Sequence, residues 1–291
     1  VNNMEVKKQY EVLQWASLFL EEHGREKNVA VILLQHFLQV TATKFYMNMQ
    51  QLVPEEVLTP YMAAIKQHAS TGIPVQHLMG CTSFYGREFK VNEDVLIPRP
   101  ETEELVQQVI QHVNHHFVDK CPTIVDVGTG SGIIAITLAL ELPKAMVYAT
   151  DISEQALKVA KENASRHQAA VVFTAGDFLA PVLEQNISMD VLVCNPPYIA
   201  REDISFMADT VKNFDPHLAL FAEQNGLAAY KKIVYQMAQL SERPYLVAFE
   251  IGYQQGEAVS DLIKYVYPDS YPQVLQDING KDRMVIVNNN I

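Results

Sequence analysis

The chain has 291 residues, 48% of them hydrophobic and 19% charged, which describes a soluble globular protein with room for a full core and a smaller accessory domain. Acidic residues outnumber basic ones 34 to 22, a formal charge of −12. Proteins that live on nucleic-acid backbones carry the opposite field, and Lys7-Lys8 and Lys231-Lys232 are isolated pairs, so direct sequence-specific nucleic-acid binding is not expected.

Residues 1–78 read as a small helical domain. Leu13, Ala16 and Leu20 recur on one face before a stop at Gly24, and Val29, Ile32, Leu33, His36, Phe37 and Val40 make a second apolar face. His36 on that face reads as a satisfied core or edge histidine. Thr59-Pro60 reads as a cap followed by a first-turn proline, with Tyr61, Ile65 and Ala69 running to a stop at Gly72. Residues 79–97 change in composition, with two glycines, three aromatics and short alternating segments, and read as a hairpin linker.

From 98 to 291 a larger α/β domain is expected. Glu101, Glu103 and Glu104 crowd the first turn of a helix, where the dipole favours acidic side chains. His112, His115 and His116 later in it lack a third ligand at suitable spacing and read as a solvated face, so no metal site is expected. Strands "TIVDV", "AMVYAT", "AAVVFTA", "DVLVC" and "YLVAFE" alternate with helices "SGIIAITLALEL" and "SEQALKVAKENASRH", the latter capped by Ser153. Apolar strands separated by helices imply a parallel sheet covered on both faces. The tail holds two strand-like segments joined across Asn279-Gly280, an antiparallel hairpin at the end of the sheet. The apolar stretches 29–40 and 131–142 are broken by Gln, His or Glu and are too short for a bilayer. With three cysteines (Cys81, Cys121, Cys194) at no metal-ligand spacing and no visible signal peptide, a cytoplasmic, membrane-free protein is expected. The chain starts "VNNMEV" without an initiating Met, which leaves its true N-terminus open.

Between the first α/β strand and its helix lies "VDVGTGSGI", with Gly128, Gly130 and Gly132. Such a loop lets backbone approach a ligand and turns helix N–H groups toward it. The dinucleotide fingerprint needs its third glycine where Ile133 stands. The spacing, with Asp126 two residues before the first glycine, instead resembles that of S-adenosylmethionine-dependent methyltransferases. That resemblance implies a seven-stranded Rossmann-like α/β sheet and a cofactor site using Asp126, Gly128, Thr129, Gly130, Ser131 and Gly132. Asp151 ends the second strand, where a carboxylate can accept both ribose hydroxyls. Asp177 and Phe178 follow the third, where methyltransferases of this type hold the adenine: Asp177 to accept from its exocyclic amine, Phe178 to lie on its face.

The fourth strand ends in Asn195-Pro196-Pro197-Tyr198. Two prolines remove two donors and fix two φ angles, so no ladder continues through them. This corner is similar to that of methyltransferases acting on planar nitrogens, whose lone pairs are delocalised to the extent measured by the amide rotation barrier, about 18–20 kcal/mol. Asn195 Oδ1 and the Pro196 carbonyl could each accept one N–H of the target, Pro197 could stiffen the corner and Tyr198 could pack on the target's flat face.

The segments "LIPRPETEELV" (96–106), "DVGTGSG" (126–132), "NPPYI" (195–199), "DPHLALFAEQNGL" (215–227) and "GYQQGEAV" (252–259) together resemble the HemK/PrmC family, from about Gly72 to the C-terminus. The resemblance implies a protein-(glutamine-N5) methyltransferase of peptide chain release factors, with S-adenosylmethionine as donor and S-adenosylhomocysteine as product. It implies a substrate-recognition role for 1–78 and a catalytic domain over 98–291. It also implies that Asn195, Pro196, Pro197 and Tyr198 form the substrate cradle, Asn195 bordering the cofactor as well. The adenine-flanking aromatic, often Trp in relatives, is Phe178 here, which keeps stacking but loses an indole N–H. Arg99, Glu101 and Thr102 match a segment near the active site in relatives, without a role that spacing supplies. Glu250 faces the ligand edge, where a structural hydrogen bond explains it equally well. A DNA or RNA amino-methyltransferase and a ribosomal-protein glutamine methyltransferase would use the same corner. A release-factor-binding module with a vestigial cofactor site is the non-enzymatic alternative.

Overall fold

The structure is a computed structural model and describes residues 7–200, 202, 204 and 209–289. The reading of the chain's start at Val1 lies outside the described residues. They fall into two compact units, one built from the chain up to Gly80 with the short helix Asp209–Phe214, the other from the rest of the chain after Gly80.

In the first unit, helices Gln9–Glu22, Asn28–Leu38, Ala42–Met47, Glu55–Thr71 and Val75–Met79 enclose a core of Val12, Leu20, Leu33, Phe45, Tyr61 and Ile65, among others. Tyr61 carries its hydroxyl into this core and satisfies it on the Ala30 carbonyl at 3.1 Å. The expected start at Thr59-Pro60 is corrected. The helix begins at Glu55 after Pro54, and Pro60 lies inside it. Leu58 is buried one turn before Tyr61 and Ile65, so apolar burial extends the helix upstream, where Glu55 and Glu56 suit its first turn. Gly72 ends it in the left-handed conformation, φ 75°.

The second unit is a seven-stranded sheet: β1 (Thr123–Val127), β2 (Met146–Asp151), β3 (Val171–Ala175), β4 (Val191–Cys194), β5 (Leu246–Glu250), β6 (Gln273–Gln276) and β7 (Asp282–Asn288). The order across it is β6-β7-β5-β4-β1-β2-β3. β1 to β5 run parallel; β7 pairs antiparallel with both β5 and β6, which makes the expected terminal hairpin. One face buries Ile124, Val147, Val193 and Ala248 beneath helices Glu101–His116 and Ile133–Glu141. The other buries Val125, Leu192, Val247 and Val285 beneath Ala228–Met237 and Gly256–Val266. Burial on both faces is why these strands read as apolar runs rather than alternating ones.

The segment read as a hairpin linker holds a two-stranded antiparallel pair, Cys81–Phe84 with Arg87–Lys90. Its Phe84 and Phe89 are fully buried in the core of the larger unit, so the hairpin packs there as an integral part.

Register aligns the ligand edge. Val127 pairs with Thr150 and with Cys194, and Cys194 with Phe249. The next residue on each strand therefore falls in one row: Gly128, Asp151, Asn195 and Glu250. The chain turns back between β1 and β4, and open α/β sheets bind ligands at such a switch point, beyond the carboxyl ends of the strands.

Candidate active site

A cavity of about 400 Å³ opens at this edge. Of the residues singled out by sequence, Gly128, Gly130, Asp151, Asp177, Phe178, Asn195 and Pro197 line it. Asp126, Thr129, Ser131, Gly132, Pro196 and Tyr198 are not among the residues that line it.

The glycine loop shows the division. Gly128 and Gly130 have φ of 73° and 56°, and a Cβ built on either meets nothing within 4 Å. Both positions face open cavity, the space a closely approaching ligand would need. At Gly132, φ 83°, a Cβ would lie 2.9 Å from Ile136 Cδ1 and 3.0 Å from Ala160 Cβ, so that glycine serves helix packing. Asp126 is fully buried, its Oδ2 accepting from Thr129 Oγ1 at 2.6 Å and from the Ala135 N–H at 3.2 Å. It ties the loop to the first turn of the following helix. Burial pushes its carboxyl up to about 7 against the pull of those hydrogen bonds.

Asp151 accepts the Gly130 N–H on Oδ2 and the Ser153 N–H on Oδ1, both at 2.8 Å. Burial raises its pKa, opposed by these backbone donors. Asp177 borders the cavity with Oδ2 paired to Lys232 and its carbonyl accepting from Gln236 Nε2 at 3.0 Å. Phe178 holds a left-handed φ of 54°, and its carbonyl accepts from Thr150 Oγ1 at 2.8 Å. Val95, Leu96, Leu218 and Phe221 add apolar wall. The set fits S-adenosylmethionine: two open glycines, a half-buried carboxylate whose outer edge remains available to hydroxyls, an aromatic face and apolar surface.

At the corner, Asn195 Nδ2 donates to Thr102 Oγ1 at 3.3 Å, and Thr102 Oγ1 donates to Glu250 Oε2 at 2.7 Å. Burial pushes the Glu250 carboxyl up to about 7, while the Thr102 hydrogen bond and the Arg283 charge pull it down. Tyr198 is held by its backbone: Gln255 Nε2 donates to the Tyr198 carbonyl at 2.9 Å, and Gln255 Oε1 accepts the Gly252 N–H at 3.0 Å. The Tyr198 ring packs against the core beneath β5, and burial, with the Glu250 charge adding, pushes its phenol up to about 12. Arg99 pairs with the buried Asp215 at 2.8 Å, fastening the Pro-Arg-Pro segment to the segment that supplies Leu218 and Phe221.

Lys232, Gln255 and the wall residues were not assigned by sequence. Lys232 was visible only as half of a basic pair and Gln255 only as part of a quoted segment. Among the described residues no group of three or more His, Cys, Asp or Glu could hold a metal ion, and no helix is long and apolar enough to cross a membrane.

Residues 11–80 match the PrmC N-terminal domain and residues 105–218 the methyltransferase small domain. A release factor glutamine methyltransferase of Bacillus anthracis is 45% identical over 276 residues, covering 95% of this chain and 97% of its own length. Proteins of the same description from Bacillus subtilis and Staphylococcus aureus are 42% and 41% identical over 95% and 94% of this chain, and 96% and 97% of theirs. Among solved structures, the hMettl16 catalytic domain in complex with MAT2A 3′UTR hairpin 6 aligns with a TM-score of 0.55 at 15% identity, covering 87% of this chain and 88% of that one. A methyltransferase from Pyrococcus furiosus aligns with a TM-score of 0.51 at 14% identity over 72% and 92%. At these identities the two structures speak to the fold alone.

Proposed function

The chain belongs to the release factor glutamine methyltransferase family, and we propose that it methylates the glutamine of the Gly-Gly-Gln motif in peptide chain release factors. The methyl group goes to the side-chain amide nitrogen, N5, with S-adenosylmethionine as donor and S-adenosylhomocysteine as product. The observation that carries the reading is that Asn195 and Pro197 share one cavity wall with Gly128, Gly130 and Asp151.

A carboxamide nitrogen is a weak nucleophile because its lone pair is delocalised, a delocalisation of about 18–20 kcal/mol as judged from the rotation barrier. Bound S-adenosylmethionine supplies a methyl group made electrophilic by its sulfonium. What the chain contributes is placement. Asn195 Oδ1 and the Pro196 carbonyl act as acceptors for the two N–H bonds of the target, which orients its nitrogen toward the cavity. Asp151 would hold the ribose hydroxyls, Phe178 would cover the adenine, and Gly128 and Gly130 would let backbone close on the donor. The amide nitrogen gains the methyl carbon and its extra proton leaves to solvent, so no tuned base is required. Fixed dipoles and orientation carry the rate.

The charge of −12 supports a protein target over a nucleic-acid backbone. A cytoplasmic location follows from that target, because termination takes place there. The helical unit serves recognition of the body of the release factor. The test is incubation with labelled methyl donor and, separately, release factor, release factor with its Gly-Gly-Gln glutamine replaced, and duplex DNA. Label confined to the intact release factor is the expected result; label in DNA, or in the substituted protein, overturns the target.

A further inference from the structure

We propose that Thr102 and Glu250 are positioning residues that lock the Asn195 carboxamide with its oxygen, not its nitrogen, turned to the substrate. The inference rests on the carboxamide-transfer reading above and deepens it by naming what sets the cradle's polarity.

Three elements meet here: Asn195 follows β4, Glu250 ends β5, and Thr102 lies in the first turn of helix Glu101–His116. Thr102 and Glu250 are each 1% exposed, so water does not compete for their hydrogen bonds. The polarity of the chain of contacts is fixed from one end. An ionised carboxylate only accepts; burial raises the Glu250 pKa to about 7 against the pull of Thr102, Arg283 and Asn195, so this polarity holds where the pH exceeds that value. The single proton of Thr102 therefore goes to Glu250 Oε2 at 2.7 Å. What Thr102 Oγ1 then offers its other neighbour is a lone pair. Asn195 meets that lone pair at 3.3 Å and must turn an N–H to it. A flipped amide would set oxygen against oxygen at the buried side and would point N–H groups at the incoming N–H bonds of the glutamine. The Asn195 side chain has no such preference of its own, since its two ends are nearly the same size. The Thr102 hydroxyl, together with the Glu250 carboxylate that also draws an N–H from Asn195, decides between an acceptor cradle and a donor one.

Two substitutions separate this role from simple packing. Thr102→Val keeps the shape and removes the hydroxyl; Thr102→Ser keeps the hydroxyl and trims the methyl. Glu250→Gln keeps volume and reach but can itself offer an N–H to Thr102, which frees the Thr102 proton for Asn195 and lets both amide orientations form.

The experiment measures kcat and KM on intact release factor, cofactor affinity by calorimetry, and water exchange of the Asn195 side-chain amide protons by NMR on the unliganded full-length protein. Thr102→Val should lower kcat at least about tenfold with cofactor affinity within about twofold, because the lost interaction matters in the transition state. Thr102→Ser should return to within about threefold of the parent, and amide exchange should rise at least about tenfold in Thr102→Val alone. In an Asn195→Ala background, Thr102→Val should change kcat by less than about twofold, since the two act as one unit. If Thr102→Val does not fold, Glu250→Gln carries the test, with kcat expected at least about threefold down. Parental kcat in Thr102→Val (or in Glu250→Gln where Thr102→Val does not fold), unchanged amide exchange in Thr102→Val, or a full multiplicative effect in the Asn195→Ala background overturns the positioning role alone. A parent protein that labels no release factor overturns the functional reading and this inference with it.

Discussion

Asp151 gives each carboxylate oxygen to one backbone N–H, of Gly130 and Ser153 at 2.8 Å, and keeps its outer edge on the cavity. Hydrogen bonds to a charged acceptor contribute about 1.5–3 kcal/mol each, so Asp151→Ala should weaken S-adenosylmethionine binding by roughly ten- to a hundredfold. Calorimetry checks this, and an unchanged dissociation constant would move the ribose elsewhere. Asp126, on the neighbouring strand, is buried without reaching the cavity, and its carboxyl is pushed from an ordinary 3.8 up to about 7. The folded protein therefore holds that proton more tightly than the unfolded chain does. The stabilisation this gives is complete below the unfolded value and is lost as pH rises through about 7. Asp126→Asn should accordingly flatten the fall in stability between about pH 6 and pH 8, and should be at least as stable as the parent at the upper value. Denaturation midpoints at the two pH values decide it; equal slopes in both proteins would assign the proton to another group. At this scale the sequence was informative where a residue type is forced locally, as at the glycines and the carboxylates that end strands. It supplied no role for Thr102, Lys232 or Gln255, because their partners lie 93, 55 and 57 residues away and no local periodicity encodes such a meeting.

The elements themselves were largely legible, since both-face burial produces apolar runs and the helices between them carry a period that a window of residues reveals. The helix start expected at Thr59-Pro60 shows the limit: burial of Leu58 overrides that local cap signal and carries the helix back to Glu55. The turn after β4 was legible as a corner, but what braces it was not. Gln224, Asn225 and Gly226 all hold left-handed φ, at 58°, 58° and 78°. The last of them brings its backbone against the Tyr198 carbonyl. A Cβ on Gly226 would lie 2.1 Å from that oxygen and 2.6 Å from Gln255 Nε2, the donor that holds it. Gly280 offers a control, with φ 73° and nothing within 4 Å of a built Cβ. Alanine at either site incurs the left-handed penalty of about 1–2 kcal/mol, but only at Gly226 must the corner also move. Gly280→Ala should lose about that stability and keep its turnover, while Gly226→Ala should lose more and fall at least about tenfold in kcat with cofactor affinity nearly unchanged. Matching kcat values in the two variants would remove the corner from the catalytic geometry.

For the whole molecule, the division of labour follows from where the cores and the cavity sit. Each unit closes its own core, Leu33, Phe45 and Tyr61 in one and the two faces of the sheet in the other. The described wall of the cavity comes from the larger unit. Among its described residues the helical unit holds no group of three or more His, Cys, Asp or Glu that could bind a metal ion, and it leaves Tyr46, Met47 and Leu52 at 59%, 78% and 58% exposure. Recognition of the release factor is the role proposed above for this unit. A fragment spanning 81–291 should then bind S-adenosylmethionine within about threefold of the full chain, because the groups that hold it are all present. Its KM for intact release factor should rise at least about tenfold, since contacts remote from the reacting centre are lost, whereas its kcat/KM for a short peptide containing Gly-Gly-Gln should stay within about threefold. The peptide arm is what makes the comparison decisive: a fragment crippled on both substrates has lost the site, and one unimpaired on both has lost nothing that recognition used.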